Sequence, residues 1–280
     1  IAADGFYMLA LSVRDQAMYV GIRSTFYRIA TIAGQGLLVV LAGELEKRTS
    51  TIAMAWSITF YILAGLFIAF YLYHSYILPH PASDKPAVGN VTANNIFKEF
   101  FATFASFFKK PQAGVAILFM LFYRLPEAQL VKLINPFLLD PIEKGGLGLS
   151  TAEVGWVYGT IGIIGLTLGG IIGGICAAKG GLQKWLWPMA WSISLTCITF
   201  VYLGYFQPQD LLTINICVFI EQFGYGFGFT AYMLYLIYYS DGEHKTAHYA
   251  ICTAFMALGM MLPGMMAGWL QIGRASCRER

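Results

Sequence analysis

Apolar runs recur along this chain at lengths that suit a membrane, where a helix needs about 20 apolar residues to cross the hydrocarbon core. The pattern gives one partial and seven full spans: Ile1–Val13 (partial), Tyr19–Gly43, Ile52–Leu78, Gln112–Leu139, Ala152–Ala178, Leu186–Phe206, Leu211–Tyr239 and Ala247–Leu270. No alternating strand pattern competes with them. The expected fold class is all-α, a polytopic membrane helix bundle. Aromatics such as Tyr71, Tyr73, Trp185, Trp187 and Trp269 flank many spans, as interfacial belts do. Ser150-Thr-Ala-Glu153 reads as a capping box at the start of one span.

One segment breaks the rhythm. From Pro79 the chain carries Pro81, Pro86, Gly89 and several Asn, and then repeats Phe at helical spacing (97, 100/101, 104, 107/108). This reads as a linker followed by an interfacial amphipathic helix. A long central linker suggests two bundles: 1–78, then the linker at 79–111, then 112–271. Lys and Arg set orientation. One side collects Arg14, Arg23, Arg28, Lys85, Lys98, Lys109, Lys110, Lys179, Lys184 and Lys245, and the other only Lys47, Arg48 and Lys144. Ten against three puts the linker in the cytoplasm.

Composition supports the membrane reading. The chain is 58% hydrophobic and 12% charged, against roughly 25% charged in soluble domains. The net charge of +3 rests on the last residues. Residues 272–280 have no apolar pattern and match the translation of a common short-read adapter, so they are set aside. Removing their three Arg and one Glu leaves 15 basic against 14 acidic residues, a net charge of +1. Nothing then points to nucleic acid. The remaining cysteines, Cys176, Cys197, Cys217 and Cys252, form no CxxC pair and no disulfide framework. Enzyme motifs (HExxH, GxSxG, a phosphate loop with Lys) are absent, and no cofactor is expected. His244 and His248, four apart, read as a solvated turn rather than a metal site.

The ionisable residues singled out inside spans are Asp4, Arg124, Glu127, Lys132 and Glu221. A charge at the bilayer centre costs at least ~2.5–3.5 kcal/mol on insertion scales, so each needs a partner, a cavity or a substrate. Arg124 and Glu127 lie three apart and share a helix face. The plain reading is an ion pair that neutralises both. Pro126 adds to the functional one, because it breaks the ladder where the charges lie, and broken helices mark transporter sites. Lys132, two turns on, either snorkels outward or lines the pathway. Gln129 and Asn135 are polar candidates for a cavity. Glu221 sits among glycines and aromatics as a proton carrier or a neutral hydrogen bonder, and Asp4 is similar in kind. Tyr225 and its neighbours Tyr232 and Tyr235 either stack on a sugar or pack. Glycines at 165, 169 and 173, and at 170 and 174, permit close helix approach, as ordinary packing or as a rocking contact.

Leu121-Phe-Tyr-Arg-Leu-Pro-Glu127, Phe137-Leu-Leu139, Ser150-Thr-Ala-Glu-Val-Gly155, Phe219-Ile-Glu-Gln-Phe-Gly-Tyr-Gly-Phe-Gly-Phe229 and Pro263-Gly-Met-Met-Ala-Gly-Trp269 together resemble the AmpG muropeptide permeases of the major facilitator superfamily. Asp4-Gly5 and Gly21-Ile-Arg-Ser-Thr-Phe-Tyr-Arg28 resemble that family's fourth and fifth helices. The resemblance implies a truncated major facilitator superfamily fold running from helix four to helix eleven, without helices one to three and twelve. It implies a multi-pass protein of the bacterial inner membrane that imports anhydro-muropeptides with protons. Helices four, seven and ten line the cavity in that superfamily, and Asp4, Arg124/Glu127 and Glu221 fall on them. Arg124 would bind an anionic group, with Glu127, Gln129, Lys132, Asn135 and Tyr225 around the substrate, and Glu221 or Asp4 would carry the proton. Ala178 stands where a cytoplasmic loop of the superfamily usually has Asp, which removes one gating ion pair. The partners expected are a small-molecule substrate, protons and the lipid bilayer. A carrier of another anionic metabolite such as an acyl-CoA is the alternative. A membrane scaffold or sensor without transport is another, and the charges on the pore helices argue against it.

Overall fold

Long apolar stretches leave the backbone one way to satisfy its polar groups inside lipid, which is helix. The computed structural model describes residues 2–32, 34, 38–49, 51–79 and 93–278; the side chains of 2–4, 24, 28, 32, 39, 93–96 and 269–278 lie outside that description. The described elements are helical throughout: α1 (Ala2–Ala10), α2 (Val13–Ile32), α3 (Leu38–Thr49), α4 (Ile52–Ile77), α5 (Ala93–Phe108), α6 (Ala113–Phe122), α7 (Leu125–Leu139), a 3-10 turn (Ile142–Lys144), α8 (Thr151–Trp156), a π-helical turn (Val157–Gly162), α9 (Ile163–Gly180), α10 (Leu182–Leu195), α11 (Ile198–Phe206), α12 (Leu211–Ser240) and α13 (Lys245–Arg278). Among the described residues six helical segments are long and apolar enough to cross a membrane: Ile52–Ile77, Ala113–Leu139, Thr151–Gly180, Leu182–Phe206, Leu211–Ser240 and Lys245–Gly268.

These six coincide with expected spans to within a few residues. The expected span at Tyr19–Gly43 does not appear in that form. Helix α2 starts earlier, at Val13, and holds Arg14, Asp15 and Arg23 within it; α3 follows from Leu38. Arg14 and Asp15, ahead of the expected span, and Arg23, within it, all sit on the helix itself rather than in a flanking loop. The linker residues 80–92 lie outside the described residues. So do the side chains of the set-aside end, 272–280.

Contacts divide the chain into two units, 26–87 on its own and 1–25 together with 88–280. In the smaller unit α3 packs on α4. Of α4 only Ala55 and Thr59 are buried, and Phe60, Tyr61, Phe67, Ile68 and Tyr71 are exposed. A helix apolar all round suits lipid or further helices.

In the larger unit α12 is the central element, packed on α9, α10 and α13. Tyr232 is fully buried, beside Leu236 and Ala231. Glycine lets α9 approach two neighbours at once. A Cβ on Gly165 would fall 2.7 Å from Phe219 O of α12, and one on Gly169 2.1 Å from Phe223 O. The other glycine face meets α2: a Cβ on Gly174 would lie 2.7 Å from Met18 O, and one on Gly21 2.0 Å from Gly170 O. The two small-residue series therefore serve two contacts.

Three caps match their chemistry. At α8, Ser150 Oγ accepts from Glu153 N–H at 3.3 Å while Glu153 Oε2 accepts from Ser150 N–H at 2.8 Å, the capping box. At α12, the Asp210 carboxylate accepts from Thr213 N–H at 2.8 Å. Thr213, through its side chain first and its N–H second, holds the Asp210 carboxyl below its ordinary range. At the other end of α12, Lys110 Nζ donates to Tyr239 O at 2.6 Å and Asp241 O at 2.7 Å, a cation on the helix's last carbonyls.

Lys110 follows α5, whose aromatic face is divided. Phe107 is fully buried, with its ring centroid 5.7 Å from Tyr239, 5.6 Å from His248 and 6.1 Å from Phe255. Phe97, Phe100, Phe101, Phe104 and Phe108 are exposed. The helix is amphipathic as expected, docked on α13 chiefly by the Phe107 ring and by Ser106. His248 is not the solvated residue that its place beside Lys245 suggests. It is buried, with Nε2 2.9 Å from Ser106 Oγ, because α5 covers the start of α13. Among the described residues no group of three His, Cys, Asp or Glu is placed to hold a metal.

Candidate functional site

The apolar run from Gln112 to Leu139 is two helices. α6 ends at Phe122, Arg124 takes a non-helical backbone (φ −102°, ψ 15°), and α7 begins with Pro126 in its first turn. Proline has no N–H and suits a helix start, so the break falls just before it. The ladder resumes with Ala128 N–H to Arg124 O at 2.8 Å. Aromatic hydroxyls of α6 and α12 tie the broken region together. Tyr232 OH donates to Met120 O at 2.7 Å, the carbonyl that Arg124 N–H would take in an unbroken helix, and Tyr123 OH donates to Gly228 O at 2.9 Å.

At this break lies a buried ion pair. Arg124 Nε donates to Glu127 Oε2 at 2.6 Å and Nη2 to Glu127 Oε1 at 2.7 Å, fork to fork. The Arg124 side chain is 10% exposed and that of Glu127 5%, so neither charge is neutralised by water. Nη2 also donates to Tyr225 OH at 3.1 Å. The guanidinium carbon stands 4.8 Å from the Phe229 ring centroid and 5.6 Å from that of Tyr225, within cation–π range. Glu221, one turn before Tyr225 on α12, is buried and accepts from Gln222 Nε2 at 2.8 Å. The thiol of Cys197, at the α10–α11 break, lies within electrostatic reach of both Glu127 and Glu221.

The expected residues divide accordingly. Arg124, Glu127 and Tyr225 come together, with Glu221 one turn along. Gln129 turns to α13, where its Nε2 donates to Pro263 O at 2.8 Å. Lys132 is exposed, with its stem against α13: a Cβ on Gly264 would meet Lys132 Cε at 3.0 Å. Asn135 is exposed one turn further. Asp4 lies on α1 with its side chain outside the described residues. Phe229 is the site residue that the sequence reading misses, although it shares a helix face with Tyr225 and Tyr232 (i, i+4, i+7), a spacing visible in the chain.

A separate cavity of about 430 Å³ lies at the other end of α12, lined by residues including Arg14, Gln16, Ala177, Leu182, Ile237 and Asp241. Its nearest lining residue on α12, Leu234, is about 13–14 Å from Tyr225 along the helix at 1.5 Å per residue.

Several membrane-crossing helices, one broken at a buried ion pair amid aromatics, define a polytopic membrane protein with a polar site inside the bundle. The family model of the Major Facilitator Superfamily matches residues 5–264, and the chain belongs to that superfamily. It is similar to the protein named AmpG 2 of Rickettsia typhi (30% identical over 175 residues, 62% of this chain and 41% of that one) and to AmpG 2 of Rickettsia prowazekii (27% over 240 residues, 86% and 55%). It is also similar to the anhydromuropeptide permease of Escherichia coli K12 (22% over 279 residues, 96% and 51%). The chain spans about half the length of the curated relatives it matches. It is a transporter-family chain related to the AmpG proteins, not an enzyme.

Proposed function

We propose that the protein carrying this chain imports anhydro-muropeptides through the bacterial inner membrane, driven by protons. The observation that carries this reading is the Arg124 guanidinium, buried on a broken helix and ringed by Glu127, Tyr225 and Phe229. Muropeptides present carboxylates and sugar rings. A planar fork fits a carboxylate, and aromatic faces beside it fit a sugar. The name of the Escherichia coli relative supports the substrate class. Residues 1–78 and 112–271 belong in this reading to two bundles, with the linker at 79–111 on the cytoplasmic side.

The test is uptake of radiolabelled anhydro-muropeptide into membrane vesicles by the full-length protein, with and without an imposed proton gradient. Gradient-dependent uptake is expected. Uptake no faster than in vesicles lacking the protein would overturn the reading. The same guanidinium would accept another anionic metabolite, so an acyl-CoA is the competitor to include.

A further inference from the structure

The Arg124 fork is already occupied. Both carboxylate oxygens of Glu127 lie on it, at 2.6 and 2.7 Å, and a substrate carboxylate would need the same N–H groups. If Glu127 stayed ionised when that carboxylate arrived, two negative charges would share one positive charge in a site of 10% and 5% exposure. A buried net charge is costly, and a like-charge pair disfavours ionisation of one member. One added proton removes the conflict. A neutral Glu127 releases the guanidinium, the ligand carboxylate takes its place, and the buried charge again sums to zero.

From this geometry we infer that Glu127 is the proton-coupling group, exchanging with a substrate carboxylate on Arg124, so that anion binding takes up a proton at Glu127. The proton comes from solution and forms an O–H bond on a Glu127 oxygen as the two N–H···O bonds to Arg124 break and two to the ligand form. The inference rests on the proposed transport of a carboxylate-bearing substrate. It moves the proton from Glu221 or Asp4 to Glu127.

The groups around Glu127 leave room for this assignment. Just before its own helix stands Arg124, and further along that helix is Lys132, exposed with its stem against α13. From α12 come Tyr225, Tyr232 and, one turn from Tyr225, Glu221. Cys197 lies near on the α10–α11 side. The part of α13 from Phe255 to Gly268 has no titratable residue, and the acid of α8, Glu153, is engaged in its capping box. Glu221 has its own donor in Gln222, whereas the fork of Arg124 is turned to Glu127. The exchange therefore needs only two residues three apart, Arg124 just before α7 and Glu127 in its first turn.

Calorimetry of the purified full-length protein in two buffers of different ionisation enthalpy counts protons taken up per ligand bound. Two probes are used at neutral pH: anhydro-muropeptide, and propionate at high concentration as the simplest carboxylate. The wild type is expected to take up about one proton with each probe, Glu127→Gln about none, and Glu221→Gln still about one. Muropeptide binding without proton uptake would overturn the inference and leave the substrate reading standing. Proton uptake with propionate alone, and no muropeptide binding, would uphold the exchange and overturn that reading. Proton uptake that survives in Glu127→Gln, or that appears with neither probe, would overturn the inference.

Discussion

Arg124 and Glu127 are stable in a bundle interior only as a pair. Removing one member of a buried ion pair costs about 3–5 kcal/mol, because the other is left uncompensated. Glu127→Ala is therefore expected to lower the thermal midpoint of the detergent-solubilised protein far more than Arg124→Gln combined with Glu127→Gln. Differential scanning calorimetry decides it, and equal losses would show that the two charges do not depend on each other. The pairing itself is legible in the sequence, since a three-residue spacing puts both on one face. Its surroundings are not. Helical spacing says which residues share a face, but not which face of which other helix lies opposite. Tyr225 thus reads as a sugar platform or a packing residue, and the spacing does not show that its hydroxyl accepts from Arg124 (3.1 Å). Gln129 reads as a cavity residue and is engaged with Pro263 O (2.8 Å).

The helices owe their ends to local chemistry, and their ends can be tested. Asp210 caps α12 through Thr213, whose side chain first and N–H second hold its carboxyl pKa down. A depressed carboxyl stabilises the fold above its unfolded pKa, about 3.9 for aspartate, and the gain is lost as pH falls through the lower folded value. Asp210→Ala is expected to be less stable than wild type at neutral pH, with the gap closing below about pH 3.9; a gap independent of pH, followed by thermal melts, would refute the cap. At the other end of α12, burial pushes the Lys110 ammonium below the ordinary lysine range although Asp241 lies near. It stays because it meets two helix-terminal carbonyls. Phe107 and Lys110 together dock α5. Phe107→Ala is expected to release α5 and speed proteolysis in 93–111 at least about threefold, the local loss for a buried Phe being about 3–5 kcal/mol; unchanged cleavage would mean that the bundle does not hold this helix. Repeated Phe makes the amphipathic character of α5 readable, but one buried ring among several exposed ones is not, because each Phe looks alike in the pattern.

Across the molecule, α9 is the element that two distant parts of the chain use as a common surface. Its glycines at 165 and 169 meet α12, which follows it closely in sequence. Its glycines at 170 and 174 meet α2, about 150 residues earlier by sequence number. In the sequence both series look like one small-residue motif, because spacing four apart cannot say that two neighbours share it. Alternating access in transporters of this kind is largely rocking of one bundle against another. The α2 face joins residues of the proposed first bundle to the second, whereas the α12 face is internal to the second. Gly21 is the sharpest probe of that difference. A Cβ there would sit 2.0 Å from Gly170 O, a backbone atom that cannot swing aside, while nothing lies within 4 Å of a Cβ on Gly43. Gly21→Ala in the full-length protein is expected to insert normally and to lose uptake at least about tenfold, which is about 1.4 kcal/mol on the rate-limiting barrier. Gly43→Ala is expected to leave uptake unchanged. Gly169→Ala, at 2.1 Å from Phe223 O on the α12 face, is expected to lower the yield of folded protein instead, since it overpacks a contact within one bundle. Size-exclusion yield and vesicle uptake, measured on the three variants side by side, separate the two faces. If Gly21→Ala failed to fold as Gly169→Ala does, the α2–α9 approach would be part of the static packing and not a moving contact.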